Sequence, residues 1–471
     1  MSKEWVDRVL NSKSKSFCGA KWYNATIWLG SGSTTSCHHP PSHRIDKNEL
    51  ENNPSALHNT KYKKIIRRYM QEGIRPKECE YCWKIEDLGD EYVSDRSPKS
   101  QLNTEQELDV AFNLHWEKDI NPTYLEISFD SNCNFACSYC NASFSTIWSK
   151  DINSNGPYQD LNSDGWGAYT HNGNWAQPYG PENKENPYVK AFWEWWEKDL
   201  QYSLNTLRIT GGEATVSKSF WQLIDWFKAH PKCKVELIVN TNLGSTELVK
   251  KLIKSKKPYI HTSAECIGKH AEYIRDGLDY EQWLSNVKYC LENDVNVHIM
   301  MTLNALCFAS LDKFQEQIID LREQFPKVSL NMSYNILRFP SFQSITTLPE
   351  YVKKQKINQY IKWTNKYKKY LFEKELNGMH RVIEYMSQID QPHSIYTPGN
   401  DLIARQQDFK SFYSQYDIRR NKNFIDTFND WPALVHWYET LTPQHRAISN
   451  LTIGDANDWG KPIYDEVMKN E

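Results

Sequence analysis

Short apolar runs alternate with amphipathic stretches through the middle of the chain, from residue 124 to about 337. Six runs are rich in Val, Ile, Leu and Thr, as buried strands are, and they lie at 124–129, 204–210, 235–240, 259–263, 295–303 and 328–334. Helical patterns separate the later runs, at 220–230, 246–255, 280–293 and 311–325. This spacing predicts βαβ units in an α/β fold with a parallel sheet. Six such units would form an incomplete (β/α) barrel.

The pattern divides the chain into three predicted regions: 1–115, 116–340 and 341–471. The first has a strand-like run at 25–29, a turn at Gly30 and a helix near 62–71, and we predict a small domain stapled by metal. The second holds the barrel and an insert near 153–187 that is rich in Asn, Gly, Pro and aromatic residues. Such an insert is either a substrate lid or a disordered surface loop, and both interpretations stay open. The third region is predicted to be mostly helical.

Composition and charge exclude several classes of protein. The 471 residues carry 56 Lys+Arg and 59 Asp+Glu, and this net charge of −3 argues against nucleic acid held by bulk electrostatics. A Lys-rich stretch at 353–369 has apolar residues at steps of three and four, which indicates a solvated amphipathic helix. The longest apolar stretch, around 297–303, is far shorter than the roughly 18 residues of a membrane span. The first residues lack the apolar core of a signal peptide, so we expect a cytoplasmic protein with no membrane association.

The chain has eleven cysteines. A cytosolic compartment keeps thiols reduced, so a disulfide framework is not expected. Four cysteines are scattered through strand-like or helical stretches, and we predict that they are small buried apolar side chains. These four are Cys233, Cys266, Cys290 and Cys307. The other seven fall in two groups of closely spaced motifs.

Three cysteines crowd into eight residues directly after the first predicted strand of the barrel: Cys133, Cys137 and Cys140. Thiolates are soft ligands that suit iron–sulfur clusters, zinc or copper(I). A structural zinc site takes four ligands in a closed tetrahedron, and this loop offers three. A [4Fe–4S] cluster normally takes four cysteines. A cluster held by these three would therefore leave one iron open to an exogenous ligand.

This CxxxCxxC motif after a first strand resembles that of the radical S-adenosylmethionine (SAM) superfamily, and the similar region covers roughly residues 120–340. The resemblance implies a partial (β/α)6 barrel and a catalytic [4Fe–4S] cluster whose open iron chelates SAM. It also implies that the reduced cluster cleaves SAM to a 5′-deoxyadenosyl radical, which abstracts hydrogen from a substrate. Tyr139 matches the aromatic position that lies beside the adenine in that family.

Polar motifs at the ends of the next three predicted strands match the same family. Two glycines allow close backbone approach, and a carboxylate at a strand end can accept from an ammonium group. Together with Tyr139, the resemblance implies that SAM is held by Gly211, Gly212, Glu213, Asn242, Ser263, Glu265 and Arg275. Two positions depart from the family pattern, because Ala214 replaces a common proline and Leu243 replaces a glycine. The sequence assigns no catalytic acid or base.

A second group of cysteines precedes the barrel: Cys18, Cys37, Cys79 and Cys82. With Glu86, Ser94 and Arg96 they resemble the twitch and SPASM domains of radical SAM enzymes, although in most relatives this domain follows the barrel. The resemblance implies an auxiliary [4Fe–4S] cluster bound by all four thiolates, and zinc is the alternative occupant. The nearby histidines are predicted to be surface residues, with a ligand role as the alternative; they are His38, His39 and His43.

The predicted function is that of a radical SAM enzyme that takes electrons from a donor such as flavodoxin or ferredoxin. Because twitch and SPASM relatives often modify ribosomally made peptides, a peptide or protein is the expected substrate. One alternative is the same radical chemistry on a nucleotide, sugar or other small metabolite. The other is a non-catalytic, metal-stapled binding protein, which leaves the pattern at Gly211, Glu213 and Arg275 unexplained.

Overall fold

One mostly parallel β-sheet organises the computed structural model, which describes residues 3–89, 92–176, 178–179, 185–388, 402–443 and 461–469. Its strands in chain order are β1 Asn24–Trp28, β2 Ser33–Thr35, β3 His43–Arg44, β4 Tyr124–Ser128, β5 Ala136–Cys137, β6 Thr206–Thr210, β7 Glu236–Asn240, β8 Tyr259–Thr262, β9 Arg275–Asp276, β10 Val297–Leu303 and β11 Leu330–Ile336. Nine strands form one sheet in the order β11-β10-β8-β7-β6-β4-β1-β2-β3. The remaining two, β5 and β9, pair with each other.

The six strands predicted from the apolar runs lie side by side in chain order. Every pair from β4 through β6, β7, β8 and β10 to β11 is parallel. Each strand begins or ends within two residues of its predicted bounds. The predicted α/β fold with a mostly parallel sheet is confirmed, and the strand order fits a partial barrel.

Helices cover the outer face of this sheet between the strands, as predicted. They are Lys218–Ala229, Thr246–Ser255, Tyr280–Glu292 and Leu311–Gln324. Three of them begin at a polar side chain that accepts a hydrogen bond from the first turn, namely Ser217, Ser245 and Asp279. Such caps satisfy backbone N–H groups that have no partner within the helix.

The N-terminal part of the chain extends the barrel sheet at the edge of β4. Strand β1 pairs in parallel with β4, and β2 and β3 continue the sheet as antiparallel strands. Ala25 and Ile27 of β1 therefore share the core of the barrel. A second, smaller core surrounds Phe17, Trp22 and Leu108. The separate cysteine-rich domain over 1–115 stays a prediction.

Further helices flank the sheet and form most of the described chain after residue 349. The longer ones are Lys61–Gln71, Glu105–Asn113, Thr146–Asn155, Pro187–Trp195, Glu350–Tyr367, Glu373–Ser387, Leu402–Arg420, Pro432–Thr440 and Lys461–Lys469. The Lys-rich helix Glu350–Tyr367 is more than a solvated face, because Lys353 and Lys356 are buried along with Tyr360. No helix among the described residues is long and apolar enough to cross a membrane.

Candidate active site and metal centres

The first three motif cysteines lie on the loop that joins β4 to helix Thr146–Asn155, which we call the cysteine loop (residues 129–145). Cys133, Cys137 and Cys140 are all half-buried. Strand β5 is part of this loop and pairs antiparallel with β9, which sets Cys137 opposite Arg275. The loop therefore lies at the carboxyl end of the parallel strands, where barrel enzymes place their active sites.

Hydrogen bonds and burial define the surroundings of these thiols. Trp148 Nε1 donates to the Cys137 carbonyl at 3.1 Å, and the Cys140 N–H donates to the same oxygen at 2.9 Å. Burial raises the pKa of Cys137 to about 12, while the nearby Arg275 acts in the opposite direction. Burial also raises the pKa values of Cys133 and Cys140. Thiols in this setting need a strong Lewis acid such as iron to ionise at neutral pH.

The predicted glycine pair packs directly against the cysteine loop. Gly211 has φ +136°, and a Cβ there would lie 2.7 Å from the Asp130 carbonyl oxygen. A Cβ on Gly212 would lie 2.3 Å from the Asn132 carbonyl oxygen. The next residue, Glu213, donates its N–H to that same oxygen at 2.6 Å. Only glycine fits at these two positions, because the backbones of two loops touch there.

Glu213 joins the ends of β6 and β7. Its carboxylate is buried and accepts from the hydroxyl groups of Thr215 at 2.6 Å and Thr241 at 2.7 Å. The Asn242 N–H donates to its second oxygen at 2.5 Å. Burial raises the pKa of Glu213, and these hydrogen bonds oppose the rise. The neighbouring Leu243 has φ +51°, so it keeps the left-handed backbone that the family's glycine would adopt without strain.

Tyr139, Glu265 and Arg275 form one buried network beside the cysteines. Arg275 donates from Nε and Nη2 to one Glu265 oxygen at 3.0 and 2.8 Å, and the Tyr139 hydroxyl donates to the other oxygen at 3.1 Å. Arg275 Nη1 also lies 3.8 Å from Cys137 Sγ. Burial raises the pKa of Glu265, and Arg275 opposes the rise. Ser263 follows β8 directly and is half-buried.

The stretch that contains all of these core residues matches a known family. Residues 127–313 match the model of the Radical SAM superfamily. This stretch is similar to the radical SAM domain. The match covers less than half of the chain and supports the prediction of a radical SAM enzyme, and proteins of that superfamily hold a [4Fe–4S] cluster and SAM.

Several solved structures resemble the chain at low identity. Streptococcus suis SuiB is 14% identical over 65% of this chain and 62% of its own, with a TM-score of 0.34. SuiB bound to S-adenosylmethionine is 13% identical over 72% and 68%, with a TM-score of 0.35. The structure of anSMEcpe with bound AdoMet is 14% identical over 50% and 59%, with a TM-score of 0.30. The chain thus spans less than two thirds of the first of these proteins, and no curated protein matches it.

The four N-terminal cysteines meet in one cavity outside the radical SAM domain, which we call the cysteine cavity. It has a volume of about 20 Å³ and is lined by Cys18, Cys37, Cys79 and Cys82. No three of these sulfurs lie within 4.8 Å of one another. Among the described residues, the ligand atoms of His38, His39 and Asp95 do meet that limit. A tetrahedral zinc with Zn–S bonds near 2.3 Å would bring its sulfurs to about 3.8 Å.

Buried cations border the cysteine cavity. Lys21 is buried and forms an ion pair with Glu78, whose other oxygen accepts from the Tyr62 hydroxyl at 2.5 Å. Burial lowers the pKa of Lys21, but the charges of Cys79 and Glu78 outweigh this and raise it. Lys21 therefore stays charged and can offset the negative charge of four thiolates. The sequence reasoning missed this pair, although Glu78 precedes Cys79 directly.

The motif residues beyond Cys82 hold the same region together. Arg96 donates from Nε and Nη2 to the two oxygens of Glu86, both at 3.0 Å, and Ser94 donates to Glu86 at 2.5 Å. Arg96 also donates to the Phe17 carbonyl oxygen at 2.9 Å. These contacts attach the helix that carries Cys82 to the segment that carries Cys18.

The three histidines near Cys37 have different surroundings. His39 Nε2 lies 2.7 Å from Asp95, and its ring stacks on Tyr81 with centroids 3.9 Å apart. His38 is exposed and contacts Lys99 Nζ at 3.1 Å, and this cation disfavours a metal ion there. The surface prediction is wrong for His43, which is buried and lies 2.9 Å from the Thr60 hydroxyl.

A third feature is an open cavity on the inner face of the sheet, which we call the inner cavity. Its volume is about 270 Å³, and its walls include Trp28, Ser33, Ser128, Ser131 and Thr210. Ser33 belongs to the strand before Cys37, and Ser131 belongs to the cysteine loop. Hydroxyl groups and one indole are therefore among the groups that line this cavity.

Charged residues continue the inner face beneath this cavity. Arg208 Nη1 lies 3.3 Å from Glu126, and Arg208 Nε donates to Asn240 Oδ1 at 2.9 Å. Burial raises the pKa of Glu126, and the charges of Arg208 and Lys99 oppose the rise. Lys99 also lines the cysteine cavity, so a charge beside that cavity opposes the rise in the pKa of Glu126 inside the barrel.

The four scattered cysteines lie where a packing role places them. Cys266, Cys290 and Cys307 are buried and Cys233 is half-buried, in line with the prediction of small apolar side chains.

Proposed function

We propose that Cys133, Cys137 and Cys140 hold a [4Fe–4S] cluster and that SAM binds beside it. The SAM contacts are those predicted from the sequence: Tyr139, Gly211, Gly212, Glu213, Asn242, Ser263, Glu265 and Arg275. The observation that carries this proposal is the contact of Arg275 with both Glu265 and Cys137. When bound and reduced, the cluster and SAM supply a 5′-deoxyadenosyl radical that takes a hydrogen atom from the substrate.

The side chains around the cysteine loop would bind SAM and hold one another in position. Glu213 Oε2 has one protein donor in contact, the Asn242 N–H, and so retains capacity to accept from the ammonium group of SAM. Glu265 fixes the Arg275 guanidinium through two hydrogen bonds, which holds its remaining N–H groups toward Cys137. Because this ion pair is buried, its charges are poorly screened and their positions are fixed before SAM binds.

We further propose that Cys18, Cys37, Cys79 and Cys82 hold a second [4Fe–4S] cluster. All four line one cavity, their spacing exceeds that of a zinc tetrahedron, and Lys21 lies beside them as a buried cation. This cluster would relay an electron or anchor the substrate.

The inner cavity is our proposed substrate site, and a side chain of a peptide or protein is the proposed substrate. The cavity is partly open to solvent, as a site that takes one side chain of a long polymer has to be. Its walls offer hydroxyl groups for hydrogen bonding and Trp28 for apolar contact.

Anaerobic reconstitution tests the cofactors. Two clusters require about eight irons per chain and one cluster about four. Dithionite-reduced protein should convert SAM to 5′-deoxyadenosine. If reconstituted protein with a full iron content produces none, the proposed reaction is wrong.

Hydrogen transfer identifies the substrate class. A deuterated cell extract is separated by dialysis into macromolecules and small molecules, and each fraction is incubated with enzyme and SAM. Deuterium in 5′-deoxyadenosine from the macromolecular fraction alone supports a peptide or protein substrate, and protease treatment of that fraction should then release the deuterium donor as dialysable peptides. Deuterium from the dialysable fraction alone contradicts it and supports a small metabolite.

A further inference from the structure

Gln343 is a buried glutamine whose side-chain amide contacts three separate parts of the chain. It lies in the loop after β11 and is 0% exposed. Its Oε1 accepts from the hydroxyl groups of Ser138 and Tyr413, both at 3.1 Å. Its Nε2 donates to the Ser138 carbonyl at 2.9 Å and to the Tyr169 hydroxyl at 3.0 Å. The amide thus uses two donors and two acceptor positions, which is its full capacity.

Ser138 is the first of the two residues between the second and third cysteines of the cysteine loop. Two of the four side-chain hydrogen bonds of Gln343 are to Ser138. On its other side, the Ser138 N–H donates to the Ile274 carbonyl at 2.7 Å, next to Arg275. The backbone of Ser138 is therefore held from both sides, and its neighbour Cys137 with it.

The other partners of Gln343 come from the insert and the C-terminal region. Tyr169 ends the short helix Gly165–Tyr169 of the insert, and its hydroxyl also donates to the Ser138 carbonyl at 2.6 Å. Tyr413 lies on helix Leu402–Arg420. From the same helix, the Tyr416 hydroxyl contacts the Ala136 carbonyl oxygen at 3.3 Å. Helix Leu402–Arg420 therefore covers the cysteine loop.

Buried polar networks of this kind are rigid when every member is satisfied and costly when one is lost. Groups that orient metal ligands from outside the coordination shell commonly change metal affinity or activity by 10- to 100-fold when mutated. We propose that Gln343 is a positioning residue that sets the backbone between Cys137 and Cys140 for the catalytic cluster. This inference rests on the proposed function of the cysteine loop.

The test is Gln343→Met in the reconstituted holoenzyme, since methionine keeps the length of the side chain and removes all four hydrogen bonds. We expect an altered electron paramagnetic resonance (EPR) spectrum of the reduced cluster with SAM. We expect the rate of 5′-deoxyadenosine formation per cluster to fall about 10-fold. Hydrogen exchange of the amides at 136–140 should become faster in the protein before reconstitution as well.

The matched control is Gln315→Met, another fully buried glutamine. Its Nε2 donates to the Tyr334 hydroxyl at 2.6 Å and contacts Met379, on β11 and a C-terminal helix. This variant should lose stability but keep the wild-type EPR spectrum, rate per cluster and exchange at 136–140. If Gln343→Met matches Gln315→Met in all three measurements, the positioning role is wrong.

Two milder variants keep the inference testable if Gln343→Met does not fold. Tyr413→Phe and Ser138→Ala each remove one hydrogen bond of Gln343, and each should shift the same three measurements in the same direction by less. Wild-type values in both variants would overturn the proposal. Wild-type protein that binds iron but yields no 5′-deoxyadenosine contradicts the proposed function instead, and hydrogen exchange still decides whether Gln343 holds the loop.

Discussion

The two groups of cysteines are assembled in different ways. Cys133, Cys137 and Cys140 lie on one loop. Residues at the ends of β6 and β7, strand β9 and helix Leu402–Arg420 contact that loop. The N-terminal four come from three separate segments, and they meet only because those segments fold around one cavity. The first site is local in sequence and depends on tertiary contacts for its shape. The second depends on tertiary contacts for its existence.

The contacts that surround the two groups of cysteines also differ. Beside the cysteine loop, glycines 211 and 212 and the paired strands β5 and β9 let backbones touch. Around the cysteine cavity, the buried pairs Lys21–Glu78 and Arg96–Glu86 hold separate segments together. Both regions contain a buried ion pair, but Arg275 and Glu265 lie close together along the chain, whereas the pair of Lys21 with Glu78 joins segments that are distant in sequence.

Loss of the core cluster should have the largest effect. Cys133→Ala removes one of three ligands, so we expect no 5′-deoxyadenosine and a loss of about four irons per chain. The N-terminal cluster should stay, because its ligands and its cavity do not include the cysteine loop. Iron analysis and the SAM-cleavage assay measure both. Substantial cleavage by Cys133→Ala would exclude this cysteine as a ligand.

The corresponding N-terminal variant should separate the two sites. Cys79→Ala should remove about four of eight irons and leave the EPR signal of the SAM-bound core cluster in place. Cys290→Ala is the matched control, since Cys290 is buried in a helix of the barrel. An iron content equal to that of the control would contradict the second cluster, and bound zinc in the wild type would identify the alternative occupant.

Breaking one buried ion pair in each region should sharpen the comparison. Lys21→Met leaves Glu78 buried without its cation, and Arg275→Met does the same to Glu265. Each should lower the free energy of unfolding by about 3–5 kcal/mol, as measured by denaturant titration. Only Arg275→Met should also abolish SAM binding, because Arg275 contacts Cys137 and Lys21 borders the other site.

The control for both is Arg8→Met, which breaks the exposed pair of Arg8 with Glu105 and should leave unfolding unchanged. Equal SAM affinity in Lys21→Met and Arg275→Met would contradict the assignment of Arg275.

The smallest expected effect concerns the inner face of the sheet. Burial, Arg208 and His298 lower the pKa of His261 to about 3. In unfolded protein the pKa of histidine is about 6.5. Between these values the unfolded state binds a proton that the folded state does not, so stability is complete above about pH 6.5 and falls with decreasing pH. One such group contributes about 1 kcal/mol per pH unit.

Urea unfolding of His261→Gln between these pH values checks this, and the variant should lose stability more slowly as the pH falls. His230→Gln, at the exposed end of helix Lys218–Ala229, is the control and should follow the wild type. A slope in His261→Gln equal to that of the control would show that His261 does not titrate as inferred.

Much of the barrel could be predicted from the chain alone, because apolar runs and helical periodicity are local signals. Six barrel strands and the four helices between them follow directly from that pattern; the strands are β4, β6, β7, β8, β10 and β11. The pairing of β1 with β4 could not be predicted, since ninety-five residues separate Trp28 from Tyr124 and no local signal states which edge a strand joins.

The site divides in the same way. CxxxCxxC and the glycine pair are contiguous motifs, so they were visible in the sequence. Gln343 has no such motif, and its hydrogen bonds to Ser138 span more than two hundred residues of chain. The pair of Lys21 with Glu78 is similar, because a buried charge is recognisable only once its surroundings are known.

The sequence by itself determined that the cysteine loop suits a soft metal or an iron–sulfur cluster, because ligand type and close spacing along one loop limit what three thiolates can bind. It also determined the parallel sheet that carries this loop. Only the tertiary structure decided which side chains surround the thiols, that Glu265 and Arg275 meet at Cys137, and that four distant cysteines line one cavity. The reason is physical: local patterns set strands and loops, whereas burial and charge pairing depend on segments that meet only in the folded chain.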